Sequence, residues 1–229
     1  MNKDYYEIVK ERILNQIDSE EYKKAYVGKE QGKVDRRHFL EVVHIVKELW
    51  TQQEKIPLPT ALKIAALCHD SDRIYPTREV NTKDCPEELY EYRKGVHSGN
   101  TALILFENNL DLPRELIRDA CYLILRHEKG GDRFKDYTLI ETMDEFTNTY
   151  NLNRAADYLW WADKMSFFFS NIVEYANRGK EKLQSKILYS LEGLPSFAVQ
   201  KISKKDYPPA IKESIDKVLQ KLSEKHITR

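Results

Sequence analysis

Thr60–Asp70, with the sequence TALKIAALCHD, is the stretch that decides the fold. Apolar residues cover most sides of the helix that it predicts over Thr60–Leu67, so we expect this helix at the centre of a bundle. The stretch ends on the adjacent pair His69 and Asp70. Burying a carboxylate without a partner costs several kcal/mol, and a bound cation would remove that cost. The pair therefore points to a metal site.

Apolar residues recur at helical spacing over most of the chain, whereas the period-two alternation of strands is hard to find. Before Thr60, this spacing predicts a helix around Ile8–Ile17 and a second that follows an N-cap at Asp35 and ends before Pro57. The sequence predicts an all-α fold, a compact helical bundle that forms a single domain over residues 1–229. The polar segment Pro76–Pro86 is expected to be a loop.

After that loop, the helical pattern resumes. The predicted elements are a helix from about Glu87 to Asn108, a helix capped by Asp111, a long aromatic-rich helix over Asn153–Asn177 that stops at Gly179, and two further helices. Within the second of these, Leu116, Ala120, Leu123 and His127 share one helix face. His127 should therefore point inward.

Composition narrows the class of function. The 229 residues include 37 Lys+Arg and 37 Asp+Glu, so the formal net charge is zero. Proteins that bind nucleic acid by neutralising phosphates usually have a basic excess, so we do not expect a nucleic-acid partner. The three cysteines, without Cys-x-x-Cys spacing, argue against a disulfide scaffold or a thiolate zinc site and favour a cytoplasmic protein. No apolar run approaches the ~20 residues of a membrane span, so we expect no membrane partner.

The residues that carry chemistry form an ordered series near the ends or inner faces of predicted helices: His38, His69, Asp70, His97, His127 and Asp163. Imidazole and carboxylate ligands without thiolates suit divalent metals. We expect one or two such ions as cofactor, with manganese, iron, cobalt, nickel, zinc and magnesium left open. His44 serves as a control, because six residues after His38 it lies about 120° around the helix and cannot face the same centre.

Five segments resemble the HD superfamily of metal-dependent phosphohydrolases, which is named for the His-Asp doublet. They are Arg37–Val43 (RHFLEVV), Ala65–Asp70 (AALCHD), Val96–Ala102 (VHSGNTA), Leu125–Glu128 (LRHE) and Trp161–Met165 (WADKM). The resemblance covers about residues 36–168, with an N-terminal helix before this HD core and a C-terminal helical extension after it. It implies that one metal is held by His38, His69, Asp70 and Asp163. Asp70 would bridge to a second metal, which His97 and His127 complete.

The resemblance leaves the subfamily open. The HD-GYP branch carries a His-His-Glu element and a Gly-Tyr-Pro signature, whereas this chain has Arg126-His127-Glu128 and no such signature. Arg73 stands where many members have a lysine after the doublet. The family implies hydrolysis of a phosphate ester, so we expect as partner a small phosphorylated substrate such as a nucleotide. A nucleotide-sensing module without turnover and a di-iron HD oxygenase are the alternatives, and a homo-oligomer is left open.

The remaining candidates are charged side chains beside the proposed ligands. Cations in these positions could contact a substrate phosphate, and we assign this role to Arg37, Arg73, Arg126 and Lys164. Asp72 is expected to accept a hydrogen bond from a ligand or to carry a proton. The catalytic set predicted from the sequence is thus Asp70, Asp72, Arg73 and Lys164.

Overall fold

The computed structural model of the chain describes residues 4–26, 31–75, 90–127, 141–143 and 149–227. It confirms the all-α class. The chain divides into two compact units, Met1–Ala162 and Asp163–Arg229. The single domain over residues 1–229, with an HD core at 36–168, stays a prediction.

The first unit contains five of the six predicted ligands, all except Asp163. In chain order the described elements are α1 (Tyr5–Ile17), α2 (Glu20–Ala25), α3 (Gln31–Gln53), α4 (Thr60–Cys68), a 3-10 turn (Ser71–Ile74), α5 (Tyr90–Asn108), α6 (Arg114–Arg126), the strands β1 (Glu141–Met143) and β2 (Thr149–Asn151), and α7 (Leu152–Ser166). The two strands pair in an antiparallel register, with Thr142 opposite Tyr150.

Helix α4 is the centre of the first unit. Leu62, Ile64 and Leu67 on this helix are fully buried. The helices α1, α3 and α6 all pack against α4, and α5 packs against α6. Cys68, the last residue of α4, is fully buried, so the residues that follow it start from a buried position. This is why His69 and Asp70 are buried although they are polar.

Two predicted helix caps are wrong. Helix α3 begins at Gln31, so Asp35 lies within it and is not an N-cap. Its buried carboxylate instead accepts hydrogen bonds from the Tyr22 hydroxyl at 2.5 Å and from the Gln31 amide at 2.8 Å. Asp111 does not cap α6, which starts after Pro113 without a side-chain cap. The Asp111 carboxylate instead accepts two hydrogen bonds from Arg12. In both cases the carboxylate accepts hydrogen bonds from other side chains and not from the backbone of a first helical turn.

The second unit contains more helices than predicted. The helix expected over Asn153–Asn177 is α7 followed by a π-helical segment, Phe167–Asn171, and α8 (Ile172–Ala176). Gly179 follows with a φ of +104°, a conformation that favours glycine. Three helices then complete the described chain, where two were expected: α9 (Lys180–Leu191), α10 (Ser196–Lys204) and α11 (Pro209–Ile227).

The length and hydropathy of the described helices can be compared with those of a membrane span. None of them has both the length and the apolar character that crossing a bilayer requires. The predicted loop Pro76–Pro86 lies outside the described residues.

The burial of α4 makes a prediction about stability. Leu62 has no exposed surface, whereas Leu103 on α5 is 53% exposed. We expect Leu62→Ala to lower the free energy of unfolding by about 2–5 kcal/mol, and Leu103→Ala to change it by less than about 0.5 kcal/mol. Urea denaturation of the two variants measures both values. Equal effects of the two substitutions would contradict a core built around α4.

Candidate metal centre

Three ligand atoms from different positions of the first unit form a tight triangle. His38 lies in α3, and His69 and Asp70 follow the last residue of α4. The Nε2 atoms of the two histidines are 3.1 Å apart. Asp70 Oδ2 lies 3.3 Å from Nε2 of His38 and 3.6 Å from Nε2 of His69.

These distances match those between ligands of one metal ion. Two atoms bonded to the same ion at about 2.1 Å stand about 3.0 Å apart in octahedral and about 3.4 Å apart in tetrahedral coordination. All three side chains are buried, with His69 at 0%, Asp70 at 4% and His38 at 8% exposure. The triangle is therefore a donor set that fits a divalent cation.

Hydrogen bonds to backbone carbonyls set the tautomers of two histidines. Nδ1 of His69 lies 2.9 Å from the carbonyl oxygen of Ala66, and Nδ1 of His127 lies 2.6 Å from that of Ile124. Because a carbonyl only accepts hydrogen bonds, Nδ1 carries the proton in both rings. In the neutral ring with this tautomer, Nε2 has a lone pair with which to bind a metal.

His97 extends the cluster on the other side of Asp70. Its Nε2 lies 2.9 Å from Asp70 Oδ1, so the two oxygens of this carboxylate face different histidines. The His127 ring centroid is 6.0 Å from that of His97 and 5.4 Å from that of His69. Asp70 thus lies between His38 and His69 on one side and His97 on the other.

The potential ligand atoms fall into two groups, within each of which they lie no more than 4.8 Å apart. One group is His38, His69 and Asp163, and the other is Asp70, His97 and His127. Every member is a residue that the sequence predicted as a ligand. The described part of the chain therefore contains His/Asp groups that could hold a metal ion. Asp163 lies in α7 and is half-buried.

Arg73 places a positive charge beside the Asp70 carboxylate. Its Nη2 lies 2.7 Å from Asp70 Oδ2, and its side chain is 46% exposed. Burial opposes ionisation of Asp70, but Arg73, followed by His69, His38 and His97, holds the pKa of this carboxyl well below its usual range. Asp70 is therefore ionised at neutral pH and available to a cation.

The Tyr26 hydroxyl donates a hydrogen bond of 3.1 Å to the backbone carbonyl of Arg73. It thereby holds the 3-10 turn that presents Arg73. Tyr26 is not among the site residues predicted from the sequence. Nothing in the sequence between Tyr26 and Arg73 signals that these two residues meet.

The other predicted phosphate contacts lie in different surroundings. Arg37 is exposed on α3. Arg126 is buried, donates a short hydrogen bond to Asn153 Oδ1, and stacks 4.8 Å from the Tyr122 ring centroid. Lys164 donates hydrogen bonds to the carbonyls of Tyr189 at 2.9 Å and Glu192 at 2.5 Å.

These contacts show that Lys164 and Arg126 have structural roles. Lys164 satisfies carbonyls at the C-terminal end of α9, where a positive charge is favourable. Arg126 ties the end of α6 to Asn153. Contacts of Lys164 and Arg126 with a substrate stay predictions.

His44 points away from the cluster, as helix geometry predicts: its side chain is 62% exposed and pairs with Glu48.

The fold and the cluster together define a class: an all-α protein whose histidines and aspartates could bind divalent metal. This combination is consistent with an HD-like fold. No family model, curated protein or solved structure matches the chain. Membership of the HD superfamily therefore stays a prediction from the motifs.

The contacts of His97 predict how metal affinity depends on pH. Burial disfavours its charged form, but hydrogen bonds to Asp70 and Asp72 outweigh burial and raise the pKa of His97 to about 10. Near neutral pH this ring holds a proton on Nε2 that a metal must displace. Affinity for Mn²⁺ should therefore rise from pH 7 to pH 8, by up to about tenfold, with release of a proton. Calorimetric titration in two buffers of different ionisation enthalpy measures both the affinity and the number of protons released. An affinity independent of pH would contradict the prediction.

Proposed function

We propose that this chain is a metal-dependent phosphohydrolase that acts on a nucleotide or another small phosphorylated metabolite. The observation that carries the proposal is the position of Asp70, with one oxygen toward His38 and His69 and the other toward His97. Centres with a bridging carboxylate hold pairs of ions that serve phosphoryl transfer. We propose that His38, His69, Asp70 and Asp163 hold one ion and that Asp70, His97 and His127 hold the second.

The bound ions would supply a water whose pKa is lowered from about 16 toward about 7, together with positive charge for the phosphoryl oxygens. The chain contributes the positions of the ligands. His69 and His127 are oriented by carbonyls, so little ligand reorganisation is needed when an ion binds. The buried cluster also limits access of bulk water, which strengthens electrostatic interactions within it.

Arg73 is the residue best placed to bind the substrate phosphate. It is half-exposed at an otherwise buried cluster and lies next to the proposed bridging ligand. A guanidinium has five N–H donors in a planar fork that matches the oxygens of a phosphate. Arg73 could therefore contact a phosphoryl oxygen while Asp70 keeps its place. Arg37 is a second exposed cation on the helix that carries His38.

Zero net charge agrees with a small substrate. A polymer of phosphates is usually captured by a broad basic surface. With 37 basic and 37 acidic residues, this chain has no overall basic excess. Metal ions and a few local cations would suffice for a single phosphate ester.

Phosphate release tests the proposed function. The purified protein is loaded with Mn²⁺, Co²⁺, Zn²⁺ or Mg²⁺ and given a panel of nucleotides and sugar phosphates. We expect at least one combination to release phosphate, and chelation of the metal to abolish release. His44→Ala should release phosphate at the wild-type rate. Tight nucleotide binding without release under any metal would overturn the enzyme and favour the nucleotide-sensing module.

The histidine-rich donor set also supports a second candidate, a di-iron oxygenase. Four imidazoles around one carboxylate suit iron as well as manganese or zinc. Two irons per chain, with oxygen consumed on addition of an organic substrate, would favour this candidate. Phosphate release that is equally fast without oxygen would exclude it as an explanation of the activity.

A further inference from the structure

His97 differs from His69 and His127 in the partner of its Nδ1 atom. Nδ1 of His69 and Nδ1 of His127 face backbone carbonyls. Nδ1 of His97 instead makes a short hydrogen bond with the carboxylate of Asp72. His97 is also the member with the most exposed side chain, at 18% compared with 0% for His69. It therefore relies on a charged partner where the other two rely on the backbone.

The contact is built into the turn that follows the His-Asp doublet. The 3-10 turn Ser71–Ile74 carries Asp72 between Asp70 and Arg73 and packs against α5, the helix of His97. Asp72 in this turn and Asp70 just before it thus reach the two nitrogens of one ring. Nε2 contacts Asp70 Oδ1 at 2.9 Å, and Nδ1 contacts Asp72. The ring is fixed at both ends.

Asp72 itself depends on this contact. The residue is 4% exposed, and its Oδ1 has no hydrogen-bond partner among the described residues. A buried carboxylate needs a positively charged or hydrogen-bonding partner to offset its desolvation. The Nδ1–H group of His97 is the partner that Asp72 has. An ion on Nε2 would keep that proton on Nδ1 and so preserve the contact.

We propose that Asp72 is a positioning residue that fixes the tautomer and orientation of His97 and thereby sets the affinity of the second metal position alone. This inference rests on the two-metal centre of the proposed function. A carboxylate that accepts from Nδ1–H directs Nε2 to the metal and makes it a stronger ligand. At the first position, Nδ1 of His69 faces the carbonyl oxygen of Ala66, and Asp72 contacts His97 instead. The two positions should therefore differ in their dependence on Asp72.

Metal titration of variants tests this without a substrate. Wild type, Asp72→Asn, His97→Ala and the double variant are titrated with Mn²⁺ by calorimetry, and bound metal is counted after dialysis. Asp72→Asn keeps the size of the side chain but removes its charge. We expect the second ion to bind about 10–100-fold more weakly. Affinity for the first ion should fall less than about threefold, because the lost charge acts on it only from a distance.

The double variant separates positioning from a general effect of charge. If Asp72 acts through His97, adding Asp72→Asn to His97→Ala should not weaken binding further. Asp35→Asn is the matched control, because Asp35 is also buried and hydrogen-bonded but contacts Tyr22 and Gln31. Its metal binding should equal that of the wild type.

A spectrum of the wild type provides a measurement that needs no variant. In Zn²⁺-loaded protein with ¹⁵N-labelled histidine, His97 should carry its proton on Nδ1 and the metal on Nε2. Metal on Nδ1 would overturn the proposal. So would equal weakening of both ions by Asp72→Asn, unchanged binding, or additive losses in the double variant.

The same titration separates failure of this inference from failure of the proposed function. A wild type that binds no metal would overturn both. A wild type that binds one ion would overturn the inference while a mononuclear hydrolase remains. Two ions in the wild type and two equally tight ions in Asp72→Asn would overturn the inference alone.

Discussion

Asp70→Asn should remove both metal ions and abolish phosphate release. The amide keeps the shape of the side chain but loses the charge, and each Asp70 oxygen faces a different group of histidines. We expect each ion to bind more than about 100-fold more weakly, beyond the 10–100-fold expected of changes outside the ligand set. Metal counted after dialysis and phosphate release measure the two effects.

The control for this substitution is another buried carboxylate of the first unit. Asp119 is 1% exposed and accepts a hydrogen bond of 3.2 Å from the Tyr150 hydroxyl. Asp119→Asn should keep its metal, even if it unfolds at a lower urea concentration. Circular dichroism establishes that both variants are folded. If folded Asp70→Asn retained two tightly bound ions, Asp70 would not be the bridging ligand.

His38→Ala and His44→Ala form a second pair with a large expected contrast. The two histidines share α3, but His38 is 8% exposed and lies 3.1 Å from His69 Nε2, whereas the side chain of His44 is 62% exposed. His38→Ala removes a ligand, so the first ion should bind more than about 100-fold more weakly. His44→Ala removes only an exposed ion pair and should change affinity less than about twofold.

The comparison also tests the choice of His38 over His44. Helix geometry says only that the two cannot face one centre, and the resemblance of Arg37–Val43 to the HD superfamily favours His38. Calorimetric titration with Co²⁺ gives the affinities, and the visible absorption of bound Co²⁺ reports the loss of a nitrogen ligand. A spectrum that changes in His44→Ala and stays the same in His38→Ala would show that the metal centre lies on the face of α3 that carries His44.

Much of the helical fold follows from the sequence because apolar periodicity is a local signal. It predicted α4 within one residue and the end of α3 before Pro57. The caps at Asp35 and Asp111 failed because their carboxylates are used by Tyr22 and Arg12, which no local pattern indicates. The π-helical segment Phe167–Asn171 was likewise missed, since apolar spacing continues through it.

The sequence singled out the histidines and aspartates of both groups that could hold a metal ion, because polar residues of this kind at buried helix ends call for a partner. The sequence also placed His127 on the inner face, and it is 1% exposed. It could not predict that His97 faces two carboxylates, because that depends on how α5 packs on the 3-10 turn. Nor could it predict that Lys164 would meet the carbonyls of Tyr189 and Glu192, which lie on a later helix.

The central claim is that the His/Asp cluster is a metal centre, and anomalous scattering from crystals grown with Mn²⁺ tests it most directly. We expect two anomalous peaks on opposite sides of the Asp70 carboxylate, one within about 2.3 Å of Nε2 of His38 and His69 and the other within the same distance of Nε2 of His97. A single peak beside His38 and His69 would reduce the centre to one metal. No peak within bonding distance of any of these nitrogens would contradict the account.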